Sequence, residues 1–484
     1  MITLNIPHTY RRRLPALLAC IIAAMAFGTV SARVVYQIMP TLTISEEYSD
    51  NYLDSATNEQ EEFITSYALG FSMGIMDINK QVFLSYSPTY RDHKNLNDRD
   101  RVDHIVSVDG AFRPSKYTEL EASIYYSGNS DDFDGVQREN RALLSGTTQI
   151  KKHTVLTYSH TYSDRFDEQL RTGDFRNHTI NTTRVGLSHQ YGKKDTLDLD
   201  VTYETDIYDT SDDDEYEKIE PDATIRHWLS PRDGIEANLG FMKKDFDDAA
   251  NDIETYSGHL RYIRNVSKTL DWFAKYRHSF SETQEYTHHV FHPSVGIDWD
   301  ITEDAGVSIG VGALFNAWSN ENSDDIDPFI ELDAFQRFDF SPRTSLVLTG
   351  ESDYSNSNDD AASLGYNISY KAGAEFNHQL LKTLYSSVYG SYQRIDFRES
   401  AVERTDDTAI LGAGLHYTPL RWLRLSLNYN FTDYRTTSTR EDYTENQIYF
   451  SIGFIPERPI RSDKGISRDA FDDRVFNPTD YLSE

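Results

Sequence analysis

The sequence predicts an all-β fold, a transmembrane antiparallel up-and-down β-barrel of about 22 strands, with short periplasmic turns and longer extracellular loops. Three observations predict it. Apolar and polar residues alternate with period two in segment after segment, as strands with one oily and one wet face require. The connections alternate between short turns and longer polar loops. Aromatic residues are abundant, 32 Tyr and 25 Phe, although only 38% of the chain is hydrophobic. A soluble core of 484 residues would call for a larger apolar share, whereas a wall between lipid and water needs only every second residue apolar. Disordered acidic chains are poor in aromatics, so global disorder does not fit.

The first element along the chain reads as a targeting segment. Arg11-Arg12-Arg13 precedes an apolar run from Leu14 to Val30, and Val30-Ser31-Ala32 has the small-x-small form of a cleavage site. Residues 1–32 are therefore expected to be a cleaved signal peptide, since the run falls short of the roughly 20 residues of a spanning helix. Cys20, the one cysteine, lies inside it. Leu17-Leu18-Ala19-Cys20 superficially resembles a lipoprotein box, but too little apolar sequence precedes it. A mature chain from Arg33 would have no thiol chemistry. The net charge of −31 argues against nucleic acid and against a basic patch for anionic lipid.

Residues 33–455 are expected to form the barrel. Alternation is cleanest in Leu197-Asp198-Leu199-Asp200-Val201-Thr202-Tyr203 and in Leu423 to Phe431. It recurs through Leu270, Trp272, Ala274 and Tyr276, through Val295 to Ile301, and through Val307 to Phe315. Short turns are predicted at 77–79, 113–115, 192–195, 230–233, 303–304, 341–343 and 418–419. Longer loops are predicted near 49–62, 92–101, 128–140, 164–177, 208–218, 247–253, 282–289, 319–326, 355–363, 398–407 and 436–444. Tyr86, Tyr90, Tyr125, Tyr126, Tyr158, Tyr162, Tyr429 and Tyr434 lie near strand ends, where amphipathic rings suit the headgroup level. The first strand is expected to start almost at once after Arg33, with Ile38, Leu42 and Ile44, and no N-terminal plug is expected before it. The lumen is expected to be open, filled by infolded loops or occupied by a partner.

Asn446 to Phe454 reads as the closing strand with a terminal aromatic. Residues 456–484, with Pro456 and Pro459, follow it as a periplasmic tail, either disordered or a docking peptide for a periplasmic partner.

The residues of Leu411-Gly412-Ala413-Gly414-Leu415-His416-Tyr417 and Asp442-Tyr443-Thr444-Glu445-Asn446, with the opening segment Pro40 to Asn51, resemble outer-membrane β-barrel porins associated with exopolysaccharide and exosortase (PEP-CTERM-type) gene clusters. The resemblance covers most of the mature chain as a style of sequence. It implies passage or export of polysaccharide, in an outer membrane whose lipid and lipopolysaccharide are the barrel's partners. The alternative is a non-conducting scaffold or adhesin of an envelope assembly.

No constellation points to an enzyme or a cofactor. His288, His289 and His292 form the densest histidine group, but neighbours on a strand face opposite ways and do not readily share one ion. Acidic loops such as 212–215 do not follow the twelve-residue calcium pattern. The functional candidates lie on the wet strand faces: Glu119, Glu121, Asp198, Asp200, Arg226, Lys275, Arg277, Asp298, Asp300 and Arg424. Charged side chains along a pore set its ion preference. Excess acid predicts a weak preference for cations or neutral solutes.

Overall fold

The computed structural model describes residues 35–461 except 56, 58, 78, 97–98, 130–137, 169–174, 210–214, 285–286, 320–324, 358–364, 400–402, 438–441, 457 and 459. The predicted signal peptide and most of the predicted tail lie outside the described residues.

Period-two alternation produces long strands. They are β1 (Val35–Ser49), β2 (Glu62–Met76), β3 (Lys80–His93), β4 (Arg101–Ser115), β5 (Thr118–Asn129), β6 (Arg138–Lys151) and β7 (Thr154–Glu168). There follow β8 (Phe175–Gln190), β9 (Thr196–Tyr208), β10 (Tyr216–Trp228), β11 (Asp233–Phe246), β12 (Ile253–Asn265), β13 (Leu270–Glu282), β14 (Thr287–Thr302) and β15 (Ala305–Trp318). The last are β16 (Asp325–Ser341), β17 (Thr344–Ser357), β18 (Gly365–Leu381), β19 (Leu384–Glu399), β20 (Glu403–Leu420), β21 (Leu423–Thr436) and β22 (Tyr443–Phe454), with a two-residue β23 (Ile460–Arg461). Each strand pairs antiparallel with its neighbours in sequence, and β22 returns to β1, so 22 strands close into one barrel. At roughly 4.8 Å between strands and a tilt near 40°, such a wall is about 40 Å across.

The connections sort by end, with a small overlap in length: those of one end run from two to five residues and those of the other from three to twelve, most of them six or more. All eleven predicted loops coincide with the connections of the second end. Two predicted turns are displaced. Pro114 and Pro419 lie in the last residues of β4 and β20, and the chain reverses afterwards, at 116–117 and 421–422. Both prolines sit where the register shifts, between Phe112 and Ser115 and between Tyr417 and Leu420. A residue without an N–H is tolerated at such a bulge, so each proline marks the bulge before the turn.

Closure is secured at both ends. Leu42–Ser49 pairs with Gln447–Phe454, and beyond the interruption at Ile455 and Pro456 the short β23 meets Gln37 and Ile38. At the loop end Asp50 accepts hydrogen bonds from the Asn446 N–H and side-chain amide, both 2.7 Å. The fully buried Asn51 donates to the Thr444 carbonyl at 2.9 Å. First loop and last strand are thus pinned together.

Candidate pore lining

Two sets of side chains identify the faces of the wall. One parity carries the large exposed apolar residues, among them Leu239 (72% exposed), Val311 (56%) and Leu260 (55%). The other carries ion pairs that skip strands. Arg261 on β12 bonds Asp298 on β14, Lys275 on β13 reaches Glu331 on β16 at 2.5 Å, and Arg277 reaches Asp353 on β17 at 2.9 Å. Side chains converge only on the concave face of a curved sheet, so these links lie in the lumen and the apolar parity faces lipid. On that outer face Trp272 is eight residues from Phe280, and Tyr36 is twelve from Tyr48. At about 3.3 Å per residue and a ~40° tilt, these spacings project to roughly 20–30 Å, the height of a membrane barrel's apolar band. Tyr86, Tyr90 and Tyr429 are exposed on it as predicted. Tyr125 and Tyr434 belong to the inner face instead, because their strand positions have the other parity.

All ten predicted wet-face residues share the lumen parity, and six carry ionic partners. Glu119 accepts from Arg113 at 2.6 and 2.8 Å, and Asp200 from Arg184 at 2.9 Å. Arg226 bonds Glu236, which also meets His259 at 3.2 Å. Asp298 holds Arg261 and accepts from Ser308 at 2.7 Å. Lys275 and Arg277 share Glu331, and Arg277 adds Asp353. Among the described residues, no ion pair or hydrogen bond engages the side chains of Glu121, Asp198, Asp300 or Arg424. Opposite Glu121 stand Ser145 and Ala111, and opposite Asp198 stand Ser188 and Thr224.

The charged band across β10–β17 has a floor that explains its reach. Phe273 is buried on the inner face, with Arg261 over its ring at 4.3 Å. It lies across Gly296 and Gly310, and a Cβ on Gly296 would stand 2.4 Å from the ring tip and 2.1 Å from the Ile309 carbonyl oxygen. A Cβ on Gly312 would meet the Pro293 carbonyl oxygen at 2.2 Å. Glycines on β14 and β15 thus clear the lane over which Lys275 and Arg277 reach β16 and β17.

The histidines separate as strand alternation requires. His288 and His292 are buried on the inner face, with His288 Nε2 bonded to Asn316 at 2.5 Å. His289 faces the other way, stacked on His278 with ring centroids 5.5 Å apart. Among the described residues, no three His, Cys, Asp or Glu side chains are grouped to hold a metal ion.

Sequence reading missed the partners Arg113, Arg184, Glu236, Arg261, Glu331 and Asp353. Glu331 was within reach of the alternation rule, since Ile330 and Leu332 flank it; the identity of each partner depended on register and curvature.

Residues 292–454 match the family described as "Putative beta-barrel porin 2", from β14 through the closing strand. No curated protein matches the sequence. Among solved structures, the chain is similar to a variant of the ferric enterobactin receptor PfeA from Pseudomonas aeruginosa bound to enterobactin. The TM-score is 0.54 at 9% identity, over 87% of this chain and 81% of that one. It is also similar to the siderophore receptor PirA from Acinetobacter baumannii, with TM-score 0.52 at 9% identity, over 87% and 80%. PirA from Pseudomonas aeruginosa gives 0.51 at 10% identity, over 86% and 80%. At these identities the likeness is one of fold. The chain is a transmembrane β-barrel of the outer-membrane type, and its stretch 292–454, about a third of the chain, matches a family of β-barrel porins.

Proposed function

We propose that the barrel is an outer-membrane conduit for hydrophilic solutes, with polysaccharide as its cargo, and that it carries out no covalent chemistry. The observation that supports this most is the charged and hydroxylated inner face, set against an outer face of exposed Leu, Val, Ile and aromatic residues. A lumen lined by Asp, Glu, Arg, Ser and Thr stays hydrated, and a hydrated column is what polar solutes need to cross lipid. The ten lining residues are proposed to set the preference. Glu121, Asp198 and Asp300 present uncompensated negative charge, which favours cations and neutral solutes over polyanions. The resemblance to barrels of exopolysaccharide clusters supports the choice of cargo, and neutral glycans suit this electrostatics better than acidic ones. The tail beyond Arg461 is proposed to lie in the periplasm, available to a partner there.

A second reading has its own observation. Tyr354, Tyr366 and Ile368, near the upper ends of β17 and β18, are buried against Val290, Leu314 and Phe329 of the inner face, which narrows the lumen there as a non-conducting scaffold would allow. Swelling of liposomes carrying the purified barrel separates the two. In neutral glucans of increasing length, the conduit predicts swelling that slows with size. Absence of swelling in the smallest sugar favours the scaffold.

A further inference from the structure

The wall is not continuous over its full height. β16 and β17 pair from Ser341 and Thr344 up to Leu332 and Ser352, and there the ladder stops. Above this point β16 continues to pair with β15 through Asp325, while β17 pairs only with β18, in unbroken register from Thr344 to Ser357. Had the wall continued, Ile330 would stand opposite Tyr354 and Pro328 opposite Asn356. Pro328 lacks an N–H for a ladder, which suits a strand stretch that becomes an edge.

Side-chain parity shows where the released strand ends go. Tyr354 has the parity of the lipid-facing Leu348, and Ile368 and Tyr366 have that of Tyr370 and Phe376, all exposed lower down. Yet Tyr354 is 7% exposed, Ile368 6% and Tyr366 1%, clustered with Val290, Leu314 and Phe329 of the lumen face. A strand pair with no register shift presents its outer face to an inner wall only by folding inside that wall. The upper ends of β17 and β18 therefore lie behind β14–β16, one sheet stacked on another at about 10 Å.

The contact combines packing with polar ties. Tyr354 meets Phe329 and His292 edge-on, at 6.0 and 5.3 Å, and the Arg277 guanidinium lies over its ring at 4.5 Å. Arg277 also bonds Asp353 at 2.9 Å, and the Tyr366 hydroxyl donates to Asp327 at 3.2 Å. On the opposite side of the seam the edge of β16 above Leu332 pairs with no strand among the described residues, and its Ile330 carbonyl accepts from the Ser352 hydroxyl at 2.8 Å.

We propose that the upper ends of β17 and β18, together with the upper part of β19 to which β18 stays paired through Gly365 and Glu399, form a gate that bends near Ser352 and Tyr370 and is latched inward by Tyr354, Tyr366 and Asp353. It opens by returning to the wall and pairing with β16. The stretch exchanges one set of burial and hydrogen bonds for another: the apolar cluster and the Arg277 tie when closed, the β16 ladder and lipid contact when open. A bistable element of this kind changes lumen width without unfolding the barrel. The proposal rests on the conduit reading, since a gate matters only to a pore.

Cysteine pairs test it, in a chain whose own cysteine lies in the predicted signal peptide. Leu332→Cys with Ser352→Cys spans an existing pair and serves as the control that cross-links in folded, membrane-inserted protein. Pro328→Cys with Asn356→Cys spans a missing pair and leaves the latch residues in place. Oxidation in membranes is expected to cross-link the second pair more slowly than the control, and several-fold faster when Tyr366→Ala loosens the latch. Once oxidised, the pore is expected to conduct roughly twice the current of its reduced form, because a layer about 10 Å thick has left the lumen. If the control cross-links and the second pair does not in either background, the gate is overturned while the conduit stands. Equal conductance of oxidised and reduced pores also overturns it. If the second pair cross-links but neither form conducts, the conduit reading fails and takes the gate with it.

Discussion

At the scale of single residues, the lumen wall is organised by a few charges and by the glycines that let them meet. Glu331 serves Lys275 and Arg277 together and lies mostly out of solvent. Glu331→Gln leaves Arg277 with Asp353 and Lys275 with no ionic partner among the described residues, and is expected to cost on the order of 2–3 kcal/mol, the loss of one partner in a buried ionic cluster. It is read as a lowered temperature for the shift between folded and unfolded gel migration; an unchanged temperature would remove the cluster from the wall's stability. The glycine lane gives a sharper contrast. Gly312→Val places a Cβ 2.2 Å from a backbone oxygen, whereas at Gly306 the nearest atom is 3.9 Å away. Gly312→Val is expected to abolish the folded, heat-modifiable band and Gly306→Ala to leave it intact.

At the scale of the strand, faces are legible from sequence and partners are not. Every predicted lining residue falls on the lumen parity because alternation is a local property of each segment. The displaced turns follow from reading Pro114 and Pro419 as reversals, when a proline at a strand end equally marks the bulge before one. Three turns, at Lys152-His153, Val266 to Thr269 and Lys382-Thr383, escaped notice because they contain neither Gly nor Pro. The inward placement of Tyr354, Tyr366 and Ile368 was not legible at all. Their alternation is that of lipid-facing residues, and only the broken ladder above Ser352 reverses their surroundings. Strand faces also make unequal demands on substitution. Leu239→Arg, midway along β11 on the lipid side, is expected to destabilise the barrel by about 2–4 kcal/mol. Thr224→Arg on the lumen face is expected to cost far less. Refolding into lipid vesicles across a urea series compares the two; equal losses would contradict the assignment of faces.

At the scale of the whole molecule, a ring of 22 strands encloses far more space than the side chains of its wall fill. The siderophore receptors that share its fold at about one residue in ten identical are matches of architecture alone, so function has to be read from this lumen itself. That lumen is lined by charged and hydroxyl side chains, braced by ion pairs across β10–β17 and narrowed by the folded-in ends of β17 and β18. The conduit is tested most directly by the current through purified barrels in a planar bilayer, recorded under a salt gradient. Discrete conducting steps are expected, with a reversal potential of the sign for weak cation preference that moves toward zero in a triple variant Glu121→Gln, Asp198→Asn, Asp300→Asn. A folded barrel that stays sealed, or one that conducts with anion preference, would contradict it.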